Sequence, residues 1–345
     1  MTGYDASALN NPRVRLLVVG PNWLGDGIMA MPALQVLRDR LHPEASISLA
    51  VKPGQADLWK MHAAPDRVLS LGGRNSDIRA NVQQLRREGF THALIIPHSF
   101  RSALSPALAR IPCRRGTAGQ LRRLLVSDGV DLRPCAQRHQ QWEVATILLP
   151  APLPRQLPPP RLHPPETDRE QARTWLTDLP APRLGLIPGA ARGPSKRWPG
   201  ERFLAVARAW IEHTGGGVTW LGTPEDVPLC RELSRDLPAP HSLLLAGKTR
   251  LTGFAAVLEA LDAVVANDSG GMHLAAATGT PVVGIFGLTD PAKTGPLHER
   301  AVVMQHAEQV SRSIARDSEA ARAALAAISP EEVIERVLAI PPSNP

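Results

Sequence analysis

Residues Val264–His273, Val-Val-Ala-Asn-Asp-Ser-Gly-Gly-Met-His, run from a short apolar segment into a turn and then into a helix predicted from Met272. A strand that delivers a helix start in this way leaves backbone amides without intrahelical partners, at the positive end of the helix dipole. The amides of Ser269, Gly270 and Gly271 are therefore suited to a diphosphate. Asp268 and Ser269 read equally as helix caps, and His273 as a histidine packed on a helix face. Two glycines beside all three tilt the reading toward a site.

A second junction, Gly20-Pro-Asn-Trp-Leu-Gly25-Asp26-Gly27, follows another apolar run. It lacks the Gly-x-Gly-x-x-Gly spacing of a dinucleotide site. Gly25 and Gly27 allow close approach to the backbone, and Asp26 presents a carboxylate that could take a proton from a hydroxyl. The same residue could simply cap its helix, and the residue types leave both readings open. A third segment, Pro188-Gly189-Ala-Ala-Arg192-Gly-Pro-Ser-Lys196-Arg197-Trp-Pro199, is glycine-rich and cationic but lacks the Gly-Lys-Ser/Thr of a P-loop. Its cations could neutralise charge growing on a leaving group, or form a solvated basic loop. In Leu221-Gly-Thr-Pro-Glu225-Asp226, acids stand just past a strand, where ribose hydroxyls are held in nucleotide folds and where helix caps are commoner still. Neither an Asp-x-Asp pair nor a Gly-x-Ser-x-Gly elbow occurs in the sequence.

The elements that must position these residues alternate between strand and helix. Arg15–Gly20, Ile47–Val51, Val68–Leu71 and His92–Ile96 read as strands, with helices at 26–41 and 78–88. Residues 150–165 carry eight prolines and read as a stiff connector. The pattern then restarts, with strands at 184–187, 218–221, 242–245, 263–266 and 282–286 and helices at 199–213, 224–237, 251–260 and 272–278. A last helix, Pro330–Ile340, has Ser329 as its cap. This predicts an α/β protein of two doubly wound, Rossmann-like domains, at 13–165 and 166–328, facing across a cleft. The segment 329–345 is expected to pack back on the first domain.

Composition bounds the rest. The net charge is +7, which points to a phosphorylated or otherwise anionic partner, and no nucleic-acid-binding signature is present. Three scattered cysteines fit a reducing compartment, and no apolar run approaches the length of a membrane span. A soluble, cytoplasmic protein is expected, with any membrane contact peripheral.

Taken together, Gly25-Asp26, Pro188–Pro199 and Asn267–His273 resemble glycosyltransferase family 9, as do Pro97–Ala103 and Phe286–Pro291. The resemblance runs from about Arg13 to Ile340 and implies the GT-B fold. It further implies inverting, metal-independent transfer of heptose from ADP-L-glycero-D-manno-heptose, without a cofactor, to the first heptose of a lipopolysaccharide inner core. Carried onto this sequence, Asp26 is the base and Lys196 the lysine on the donor phosphates. The resemblance likewise gives Gly189 and Arg192 to the phosphate loop, Asp226 to ribose and Leu251 to adenine. Asp268, Ser269, Gly270 and His273 would hold the diphosphate and the sugar, and Gly25 would adjoin the base. Arg101, Arg114 and Arg115 are candidates for meeting acidic groups of the acceptor. A sister heptosyltransferase with another acceptor and a GT-B sugar-nucleotide epimerase are the alternative readings.

Overall fold

The structure is a computed structural model describing residues 4–136, 138–311 and 314–341. The chain divides between Pro159 and Pro160, within the proline-rich connector, into two compact units.

The first unit is built on six parallel strands: β1 (Arg15–Val19), β2 (Ser46–Val51), β3 (Arg67–Ser70), β4 (His92–Ile95), β5 (Cys113–Thr117) and β6 (Asp128–Val130). Their spatial order is β3-β2-β1-β4-β5-β6, with Val18 opposite Leu49 on one side and Leu94 on the other. The near-continuous apolar runs of β1, β2 and β4 follow from burial on both faces of a parallel sheet. The helix after β1, Leu24–Arg40, is apolar almost all round, and Gly27–Leu34 are all buried. A Cβ on Gly27 would lie 2.9 Å from Leu58 Cδ2, so a larger residue there would require that side chain to shift.

The second unit repeats the plan with β7 (Arg183–Ile187), β8 (Gly217–Trp220), β9 (Ser242–Leu244), β10 (Ala263–Asn267), β11 (Val282–Ile285) and β12 (Val302–Met304). All are parallel in the order β12-β11-β10-β7-β8-β9, the same winding as in the first unit. In each sheet the strand order reverses beside the first strand, between β1 and β4 and between β7 and β10. Ligands of open α/β sheets lodge outside the carboxyl ends of the strands at this switch point.

Several of the chain's tryptophans lie in the second core with their indole N–H groups satisfied. Trp198, Trp210 and Trp220 donate to the Ile328 carbonyl (3.0 Å), the Pro182 carbonyl (3.1 Å) and Ser242 Oγ (3.1 Å). The final helix, Pro330–Leu338, is capped reciprocally by Ser329 and Glu332. Its apolar face belongs to this core, where Val333 and Val337 are buried and the helix packs on Gly200–Thr214.

Candidate functional site

In the second unit the switch point gathers three of the segments singled out in the sequence. Ala266 lies in register with Ile187, so the residues that follow β10 emerge beside those that follow β7. Asn267 binds the two together. Its Nδ2 donates to the Pro188 carbonyl at 2.8 Å, and its Oδ1 accepts from the Trp198 amide at 2.9 Å. Asn267 is fully buried, so both backbone groups depend on it. Asn267→Ala is expected to destabilise the protein by roughly 2–4 kcal/mol, the cost of leaving two buried polar groups unsatisfied. A thermal melt matching the wild type would show that the amide ties nothing.

Next along the chain, Asp268 is buried and forms an ion pair with Lys196. Ser269 is the N-cap of the helix Gly270–Ala277 by backbone geometry, yet its side chain makes no capping bond. Its Oγ is buried and has no hydrogen-bond partner among the described residues. The helix starts two residues earlier than expected, so the amides outside its hydrogen-bond ladder are those of Gly270, Gly271 and Met272. His273 is buried on the same helix. The result is a helix N-terminus with no side-chain cap, next to a lysine oriented by a buried carboxylate. Such a place accepts a phosphate without rearranging.

Arg192 is exposed and lines a shallow depression with Ser195, Lys196, Thr289 and Ala315. The 3-10 turn Pro194–Lys196 is held from outside: Ser195 Oγ accepts from the Ser318 amide at 2.7 Å, and the Ser195 amide donates to the Arg316 carbonyl. Gly189 is needed for close approach, because a Cβ there would lie 2.3 Å from the Asp226 carboxylate. That carboxylate accepts from the Thr223 amide (3.0 Å) and hydroxyl (2.9 Å) and lies 3.6 Å from Arg197. Asp226, given to ribose by the resemblance, is thus occupied as a buried cap. Glu225 beside it is exposed. Leu251 is half-buried at the first position of the helix Leu251–Glu259.

The first unit places Asp26 at its own switch point. The helix begins at Leu24 with Trp23 as an N-cap that makes no side-chain bond, so Asp26 sits inside the first turn. A carboxylate there is favoured by the helix dipole. Asp26 is half-buried and accepts from Gln140 Nε2 at 3.3 Å, and Gly25 precedes it, also half-buried. Arg101 is exposed, and its Nη1 donates to Asn75 at 2.7 Å.

Arg114 and Arg115, the other candidates for the acceptor, are both engaged within the first unit. Arg114 donates to the carbonyls of Leu125 and Ile111, while Arg115 pairs with Asp128 at 2.7 Å and donates to the carbonyls of Ile147 and Thr146. The first ties together the segments that precede β5 and β6, and the second ties β5 to β6 and to the helix Gln141–Leu148. Sequence reading missed Arg122, which is buried and donates to the Pro97 carbonyl at 2.6 Å. It has no carboxylate partner among the described residues, and nothing in its local sequence distinguishes it from Arg123.

The sequence model of glycosyltransferase family 9 (heptosyltransferase) matches residues 78–323. The chain is 31% identical to lipooligosaccharide heptosyltransferase 2 of Haemophilus influenzae, over 85% of this chain and 88% of that one. It is 29% identical to lipopolysaccharide heptosyltransferase 2 of Escherichia coli K12, over 95% and 98% of the two chains. The solved structure of the E. coli ADP-heptose lipopolysaccharide heptosyltransferase II superposes with a TM-score of 0.82 at 27% identity, covering 95% of this chain and 98% of that one. Two parallel sheets wound alike and this breadth of likeness agree: the chain belongs to glycosyltransferase family 9 and is a heptosyltransferase of the GT-B fold.

Proposed function

We propose that the chain transfers L-glycero-D-manno-heptose from ADP-heptose to the first heptose of a lipid A–Kdo–heptose acceptor, with inversion and without a metal ion. The observation that carries this reading is the pairing of Lys196 with Asp268 beside the uncapped helix start at Gly270. The relatives supply the donor and the acceptor class: they are heptosyltransferases 2 of lipopolysaccharide or lipooligosaccharide, and the solved one is named for ADP-heptose.

In this mechanism Asp26 takes the proton from the acceptor hydroxyl as its oxygen attacks the anomeric carbon. The C1–O bond to the diphosphate breaks as the new glycosidic bond forms, and ADP leaves from the opposite face. One base is sufficient for such a displacement. Lys196 and the amides of Gly270–Met272 meet the negative charge that grows on the departing diphosphate. Asp268 keeps Lys196 in place, and Arg192, exposed at the edge, adds a second cation. Gly189 and Ser269 shape the phosphate loop, and Leu251 lies where adenine would pack. His273, buried on the same helix, supports the sugar end. Because Asp226 is engaged as a cap, the ribose hydroxyls fall to Glu225.

Arg101 is given to an acidic group of the acceptor. Arg101→Ala should raise the acceptor KM about fivefold, the value of ~1 kcal/mol for an exposed charge pair, and leave the donor KM unchanged. A loss confined to donor affinity would remove Arg101 from the acceptor side. No helix among the described residues is long and apolar enough to cross a membrane, and we place the enzyme in the cytoplasm.

The deciding experiment is mass spectrometry of purified Kdo–lipid A bearing one heptose, after incubation with ADP-heptose in EDTA. A gain of one heptose supports donor, acceptor and metal independence together. Epimerised sugar formed from donor alone, with no acceptor present and read by NMR because its mass equals the donor's, would instead favour the epimerase reading. No gain with a verified donor redirects the search to other acceptors.

A further inference from the structure

Four of the five exposed large apolar side chains among the described residues of the first unit gather together, with Leu108 apart from them. Trp23, Phe100, Leu121 and Leu124 are 61%, 47%, 68% and 73% exposed. They follow β1, β4 and β5, which are neighbours in the sheet, and all lie beyond the carboxyl ends of those strands. Adjacent strands are about 4.8 Å apart, so these segments emerge side by side on one edge.

The edge is also built to present them. Residues Gln120–Leu124 form a 3-10 turn, in which positions three apart eclipse, so Leu121 and Leu124 share one outward face. Between them Arg122 points inward, and its bond to the Pro97 carbonyl ties the turn to the end of β4. Residues 97–127 contain six arginines and no aspartate or glutamate. Arg101 and Arg123 are exposed beside the apolar residues. The acids just beyond are neutralised locally, Asp128 by Arg115 and Asp131 by Arg133.

An apolar cluster flanked by exposed arginines, with Asp26 as a half-buried acid set behind Trp23, matches an anionic bilayer surface, where leucine, phenylalanine and tryptophan enter the interface and arginine meets lipid phosphates. We propose that this edge docks the enzyme on a membrane of anionic phospholipid, with Trp23, Phe100, Leu121 and Leu124 inserted at headgroup depth. Trp23 is three residues before Asp26, so docking holds the base at the level where a lipid-anchored acceptor presents its sugars. The proposal rests on the acceptor assigned above being lipid-anchored.

The test is co-sedimentation of the full chain with vesicles of phosphatidylcholine alone or of an equal mixture with phosphatidylglycerol. Wild type should pellet with the mixed vesicles, and Leu121→Glu/Leu124→Glu should bind them at least about tenfold more weakly. Leu124→Ser alone serves as a milder variant if the double variant melts early. Both variants should glycosylate a deacylated, water-soluble acceptor at the wild-type rate, which checks the proposed transfer independently of docking. Wild type that stays in the supernatant while glycosylating the soluble acceptor overturns the docking surface and leaves the transfer standing. Variants that pellet like wild type overturn it as well, and would hand the apolar residues to a protein partner.

Discussion

Asp26→Asn is expected to lower kcat by about 10²–10⁴, the usual contribution of a positioned general base, with the KM values of both substrates little changed. The substitution is close to isosteric. Asn can still accept from Gln140 at the position that Asp26 Oδ1 occupies, so the side chain should keep its place. What disappears is the capacity to take a proton. Stability should fall only slightly, because a carboxylate in the first helical turn contributes about 0.3–1 kcal/mol through the dipole. Turnover within threefold of wild type, in an assay where chemistry limits the rate, would remove Asp26 from the reaction.

Much of this arrangement was legible in the sequence, and the parts that were not have physical reasons. β1, β2, β4, β7, β10 and β11 are apolar runs buried on both faces of a parallel sheet, and hydropathy alone finds such strands. β5 escaped, because its residues are Cys-Arg-Arg-Gly-Thr. Its two arginines are tolerated there because each is tied to backbone carbonyls that only the folded chain brings near. Edge strands β6 and β12 are three residues long, and unlike the equally short β9, which continues into Leu245 as an apolar run, β6 is Asp-Gly-Val and offers no apolar pattern. The helix Phe100–Leu108 holds Pro106 in its interior, and proline argues against a helix when read along the chain.

The candidate site divides in the same way. Segments whose chemistry is local, such as the Asp-Ser-Gly-Gly turn and Gly25-Asp26, could be picked out from residue types. Asn267 could not, since its importance comes from the register that sets β10 against β7. The choice between Glu225 and Asp226 was open to sequence reasoning: Thr223-Pro-Glu-Asp226 has the spacing of a capping box, and the structure uses it as one. Arg122 differs from Arg123 only in the direction its side chain takes from a 3-10 turn, which no local pattern encodes.

The Lys196–Asp268 pair yields the other large effect, and here catalysis and stability must be separated. Lys196→Met removes the cation that would meet the leaving diphosphate, and kcat/KM should fall by about 10²–10³, the typical loss for one such electrostatic group. It also leaves the buried Asp268 carboxylate without its counter-ion. Breaking a buried pair from one side costs about 3–5 kcal/mol, and the partial exposure of Lys196 puts this case toward the lower end. A slow variant could therefore be slow because the loop after β7 has loosened. Lys196→Met/Asp268→Asn resolves the two effects by removing both charges. Its thermal melt should return most of the way to wild type, while kcat/KM stays at or below the level of the single variant. Recovery of activity along with stability would mean that Lys196 serves only to neutralise Asp268. The diphosphate would then rest on the helix start at Gly270 and on Arg192 alone.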